Sequence, residues 1–130
     1  MTSAARSIYV FGIYLIVLGG ILMGSPNTLL AVFGIQPTTE PWIRVVGMLV
    51  TVIGMLDVAC ARREQTAFFQ ATVYTRTFAL IGFAAFALFG IAPRILILFG
   101  VIDAVGALWT HLALRRSSKP AIAQLEISRR

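Results

Sequence analysis

Trp42-Ile43-Arg44-Val45-Val46-Gly47-Met48-Leu49-Val50-Thr51-Val52-Ile53-Gly54-Met55-Leu56-Asp57-Val58-Ala59-Cys60-Ala61 is a run of twenty residues with only two charges. An α-helix needs about 20 apolar residues to cross a hydrocarbon core about 30 Å thick. Inside lipid every backbone polar group must bond within its own segment, so such a run is helical. Three similar runs surround it: Ile8 to about Met23, continuing weakly to Phe33; about Ala67 to Gly90; and Ile95 to Leu114. The expected fold is all-α, a bundle of four transmembrane helices over about 7–24, 42–61, 67–90 and 94–115. These make up a membrane domain, residues 1–116, followed by a basic tail, residues 117–130.

Composition agrees. The chain has 130 residues, of which 58% are hydrophobic and 12% charged; mean hydropathy is +0.89. Soluble domains carry about 25% charged residues, and a small globule cannot bury this much apolar side chain. A water-soluble enzyme, a disordered tail and a disulfide scaffold are therefore excluded. Cys60 is the single cysteine. A net charge of +6 invites a nucleic-acid reading. The basic residues instead punctuate apolar runs, which the positive-inside rule explains.

That rule also orients the chain. Arg6 precedes the first run, Arg62 and Arg63 follow the second, and Arg115, Arg116, Lys119, Arg129 and Arg130 follow the fourth. The connection ending at Pro41 has no Lys or Arg and carries Glu40, and the third connection has only Arg94. Both termini are expected in the cytoplasm, as a multi-pass protein of the cell's inner membrane, with the tail on anionic head groups. A cleaved signal peptide over the first run is disfavoured, because no A-x-A site follows it.

Ser25-Pro26, with Gly34 as a stop, marks a short helix whose apolar face is Leu29, Leu30 and Phe33. It either lies on the outer leaflet as an interfacial helix or continues the first run after a kink. Ala31-Val32-Phe33-Gly34-Ile35-Gln36-Pro37 matches Ala87-Leu88-Phe89-Gly90-Ile91-Ala92-Pro93. Either chance apolar similarity or a parallel repeat of two helix pairs explains the match.

Hydrophobicity cannot join helices in lipid, whereas small residues that let backbones approach can. Gly12 and Gly19, Gly47 and Gly54, Gly100 and Gly106, and the Gly20-x-x-x-Gly24 pair are the expected seams. The alternative is a Gly-lined slot for a lipid.

Ionisable groups inside spanning helices are costly and point to function. Here they are Arg44, Asp57, Arg76, Asp103 and His111. At 1.5 Å per residue, Arg76 and Asp103 differ in depth by only about 4 Å. Their depths predict an Arg76–Asp103 ion pair. Phe69, Thr72, Arg76, Ala79 and Phe83 form its stripe on the third helix, with Gly100, Asp103, Ala107 and Thr110 opposite. Asp57 and His111 either approach each other as a proton-handling pair or are wet and interfacial, with Asp57 near Arg62 or Arg63. Arg44 is expected to snorkel toward Glu40, while Trp42 and Trp109 are expected in the aromatic belt. The lone His111 excludes a multi-His metal site, and no motif implies a cofactor.

Trp42-x-Arg44-x-x-Gly47, Ala61-Arg62, the cluster Thr72-Val73-Tyr74-Thr75-Arg76 and Phe99-Gly100-x-x-Asp103-x-x-Gly106-Ala107-x-Trp109-Thr110 cover about three-fifths of the chain. In these features it resembles small bacterial four-helix membrane proteins of unassigned role, and in topology DoxX-like proteins. The resemblance implies an inner-membrane protein and carries no catalytic motif.

Three functions fit these residues. The first is a non-enzymatic bundle that binds a lipid-like ligand or a membrane-protein partner through Arg76, Asp103, Tyr74, Thr110 and Arg44. The second is an isomerase-type membrane enzyme, with acid/base candidates Asp103, Asp57 and His111 and with Arg76 steadying negative charge. The third is a proton-coupled transporter working as a homo-oligomer.

Overall fold

The computed structural model describes the backbone of residues 1–128 and the side chains of residues 1–116, so the side chains of the expected basic tail lie outside the described residues. The elements are α1 (Ser3–Gly24), α2 (Pro26–Val32), α3 (Trp42–Arg62), α4 (Thr66–Leu88), a 3-10 turn (Arg94–Leu96) and α5 (Ile97–Ser128). No strand occurs among the described residues. Four segments are long and apolar enough to cross a membrane: Ser3–Gly24, Trp42–Arg62, Thr66–Leu88 and Arg94–Arg116. Their outward faces carry Leu49, Val52, Leu56, Phe78 and Phe86, all exposed. In water that surface would be a continuous apolar patch; in lipid it is the solvated face.

Local signals explain the helix ends. α1 begins earlier than its apolar run because the Thr2 hydroxyl accepts from the Ala5 N–H at 3.2 Å, an N-cap that satisfies an otherwise orphaned donor. α2 forms as expected, with Pro26 in its first turn. α4 stops at Leu88, short of Gly90. Pro93 leads into the 3-10 turn that delays the regular part of α5.

The two matching heptapeptides adopt one local structure. In the first, the Gly34 N–H bonds the Ala31 carbonyl and the Ile35 N–H bonds the Leu30 carbonyl, at 3.1 and 2.9 Å. In the second, Gly90 bonds Ala87 and Ile91 bonds Phe86, at 3.3 and 2.9 Å. Both glycines have left-handed backbone, with φ of 65° and 70°. This is the Schellman ending, which favours Gly because a Cβ is strained there. The α3–α4 turn repeats it with Glu64 in the glycine position, at φ 50°.

α1 pairs with α3, and α4 pairs with α5, as two antiparallel hairpins joined mainly through α1. The N-terminus and the α3–α4 turn share one end of the bundle. There Glu64 accepts from the Thr2 N–H at 2.8 Å and lies 3.4 Å from the Met1 ammonium. This is called the N-terminal end, and the opposite one the α2 end. Ala4, Ala5, Ile8, Ala61, Phe69 and Ala113 pack the core of the N-terminal end.

Glycine makes the first hairpin close. A Cβ on Gly12 would sit 2.8 Å from the Gly54 carbonyl oxygen, and one on Gly47 would sit 2.8 Å from that of Gly19. The two seven-residue glycine spacings thus interlock. Gly20 and Gly24 have nothing within 4 Å of an added Cβ, so that GxxxG pair is not a seam among the described residues.

Candidate functional site

The interior polar cluster lies where the two hairpins meet. Arg76 of α4 reaches across to α3, and its Nη2 donates to Asp57 Oδ2 at 3.1 Å. Both side chains are buried: Asp57 is 2% and Arg76 5% exposed. The guanidinium also lies over the Phe11 ring of α1, with 3.7 Å from Cζ to the centroid. Such a desolvated cation–π contact contributes about 2 kcal/mol. Arg76 Nη1 is buried without a hydrogen-bond partner among the described residues. It stands against Gly106, where an added Cβ would be 3.1 Å from it and 3.0 Å from Phe11. Gly106 therefore leaves the space that the stacked guanidinium occupies.

The expected Arg76–Asp103 ion pair is corrected by this geometry: Asp57 is the partner. The reason is side-chain direction. Helical side chains lean toward the N-terminus of their own helix. α4 begins at the N-terminal end of the bundle, so Arg76 leans that way. α3 begins at the α2 end, so Asp57 leans back toward Arg76. α5 also begins at the α2 end, and Asp103 leans away from the guanidinium. Asp57 lies five residues from the end of α3 and Arg76 ten residues into α4. That offset is about 7 Å at 1.5 Å per residue, and the two leans close it. Asp57 is accordingly neither wet nor paired with Arg62 or Arg63. Arg62 instead stands 5.8 Å over the Tyr9 ring.

Asp103 is half-buried and within electrostatic range of Arg76, Asp57 and Tyr14. It has no hydrogen bond or ion pair among the described residues. Asp103 lines an apolar cavity of about 400 Å³ between the hairpins, toward the α2 end. Leu18, Leu22 and Tyr14 of α1, Val50 of α3, and Phe83 and Phe99 of the second hairpin form its walls. The apolar face of α2, Leu29, Leu30 and Phe33, also lines it, as does Pro93 before α5. Phe33 packs edge-on against Phe99, with centroids 5.2 Å apart. The short helix therefore closes over protein instead of lying apart on a leaflet. Asp103 and the Tyr14 phenol are the polar side chains on a wall that is otherwise apolar.

The remaining expected site residues lie elsewhere. The Thr110 hydroxyl is 2.9 Å from that of Ser7 and donates to the Gly106 carbonyl at 3.0 Å, tying α1 to α5 in the core. Tyr74 is 76% exposed on the outer face of α4. His111 is half-buried and has no hydrogen bond or ion pair among the described residues. Arg44, expected to turn toward Glu40, donates to the Met23 and Gly24 carbonyls at the end of α1. Those carbonyls are orphaned by the helix end and carry its partial negative charge, so a cation is favoured there.

Ser7 and Phe11 were not singled out from the sequence. Ser7, Phe11, Tyr14 and Leu18 recur at spacings of four, three and four on α1. That stripe was a legible signal for the face turned toward the second hairpin.

Comparison with known protein families, with curated proteins and with solved structures finds no match. No link to DoxX-like proteins is therefore shown, and the site is read from its own side chains.

Proposed function

We propose that this chain is a non-enzymatic apolar-ligand-binding bundle of the inner membrane, with both termini in the cytoplasm. The single observation that carries this reading is the cavity of about 400 Å³ with its near-continuous apolar wall. Small-molecule sites are typically concave, mostly apolar and about 300–1,000 Å³, with few polar groups. The glycine seam closes the α1–α3 hairpin on itself, and the Asp57–Arg76–Phe11 contact ties that hairpin to the α4–α5 hairpin. Toward the α2 end the hairpins leave the cavity between them, with the Phe33–Phe99 contact at its rim. The distribution of Arg about the spans supports the orientation. Partners of the bundle are then the surrounding lipid and the molecule in the cavity.

A diazirine derivative of dodecanol tests this reading. The protein is reconstituted in phosphatidylcholine nanodiscs, photolysed and mapped by mass spectrometry. Labelling at Leu18, Phe83 and Phe99 should saturate and be displaced by excess dodecanol. Labelling at lipid-facing Leu49 and Phe78 should rise without saturation. Equal, unsaturable labelling of both sets would overturn the reading.

A further inference from the structure

We propose that the cavity takes a lipophilic monocation, its charge set against the Asp103 carboxylate and its apolar body among Leu18, Phe83 and Phe99. The inference rests on the apolar-ligand reading of the same cavity and names the chemical class of the occupant.

Charge balance leads to it. The spanning segments enclose two carboxylates, Asp57 and Asp103, and one guanidinium, Arg76. Arg76 is committed to Asp57 at 3.1 Å and is held there by Phe11. Asp103 makes no hydrogen bond or ion pair among the described residues and feels Arg76 only at longer range, so the cluster carries one surplus negative charge when Asp103 is ionised. An ionised carboxylate at membrane depth without a partner is strongly disfavoured, which is why such groups face a cavity and are paired in use. Asp103 does face a cavity, and the rest of its wall offers no cation.

The wall also suits the body of such a ligand. Phe83, Phe99 and Tyr14 present aromatic rings to the space. Ring faces attract cations more strongly when water is excluded. An anion would meet Asp103 repulsively, and a neutral amphiphile would leave the surplus charge unmatched. Uptake of a monocation brings the cluster to neutrality without disturbing the Asp57–Arg76 pair.

The test is equilibrium dialysis of radiolabelled tetraphenylphosphonium against the full chain in phosphatidylcholine nanodiscs, with empty nanodiscs as the blank. Saturable binding is expected. Dodecyltrimethylammonium should displace the probe, dodecanoate should not, and dodecanol should do so only weakly. Asp103→Asn should weaken binding about tenfold or more, as loss of a desolvated charge partner does, while Asp103→Glu should retain most of it. Val50→Trp, which fills the cavity and keeps Asp103, should abolish it. If Asp103→Asn fails to fold, the competitor series on the unmodified chain decides. Equal displacement by dodecanol and dodecanoate, or unchanged affinity in Asp103→Asn with loss in Val50→Trp, would overturn the cation inference and leave the apolar cavity standing. Undiminished binding in Val50→Trp would remove the cavity itself.

Discussion

Arg76 and Asp57 are joined across the two hairpins at 3.1 Å, although they belong to consecutive helices linked by a tight turn. The ion pair ties the α1–α3 hairpin to the α4–α5 hairpin near the N-terminal end of the bundle. It leaves Asp103, one layer toward the α2 end, beside the cavity. Packing and binding therefore occupy different depths of the same interface.

The identity of the ion pair is testable by stability. Asp57→Asn leaves a buried guanidinium without its counter-charge, and breaking a buried pair in this way costs about 3–5 kcal/mol. Replacing both partners, Asp57→Leu with Arg76→Met, should recover most of that loss. Asp103→Asn should cost far less than Asp57→Asn. Unfolding in mixed micelles, run as a double-mutant cycle, measures all of these. A larger penalty for Asp103→Asn than for Asp57→Asn would contradict the pairing.

The number of spans and the polar stripes of the third and fourth helices were legible in the sequence, because each follows from hydropathy or from a three-to-four spacing. Phe69, Thr72 and Arg76 are buried on one face of α4, and Gly100, Ala107 and Thr110 on one face of α5. The partner of Arg76 was not legible from depth alone. Depth compares Cα levels, whereas two side chains meet according to the direction in which each helix runs. Arg44 was misread for a related reason. Its neighbours in sequence include Glu40, but the strongest acceptors near it are the carbonyls that the end of α1 leaves free. Phe11 was overlooked because an apolar residue in an apolar run carries no mark of its own.

The glycine seam makes a prediction with an internal control. Gly12→Ala and Gly47→Ala each force a methyl against a facing carbonyl, so the α1–α3 pair must separate. Overpacking of this kind costs about 1–3 kcal/mol. Gly20→Ala and Gly24→Ala meet nothing among the described residues and should leave stability unchanged or slightly raised. Thermal unfolding of the four variants in one detergent distinguishes the two sets.

The repeated helix ending predicts matched behaviour at two distant positions. Gly34→Ala and Gly90→Ala place a Cβ on left-handed backbone, at a cost of about 1–2 kcal/mol each. Glu64→Gly removes the same strain but also removes the acceptor of the Thr2 N–H. Its net effect should therefore be smaller than that of either alanine. Melting temperatures of the three variants check this, and a neutral result at both glycines would show that the shared ending is not under conformational constraint.

Orientation in the membrane is decided by cysteine labelling. With Cys60→Ala as background, Thr39→Cys lies in the exposed connection before α3, and Gln65→Cys lies in the exposed turn before α4. Arg62 and Arg63 beside Gln65 should hold that turn in the cytoplasm, since basic residues in short loops stay on that side. A membrane-impermeant maleimide applied to intact cells, with the outer barrier permeabilised, should modify Thr39→Cys and spare Gln65→Cys until the inner membrane is opened. The opposite pattern would invert the bundle. It would also put the polar tie between Glu64 and the N-terminus on the outside, where the arginines next to it have no reason to remain.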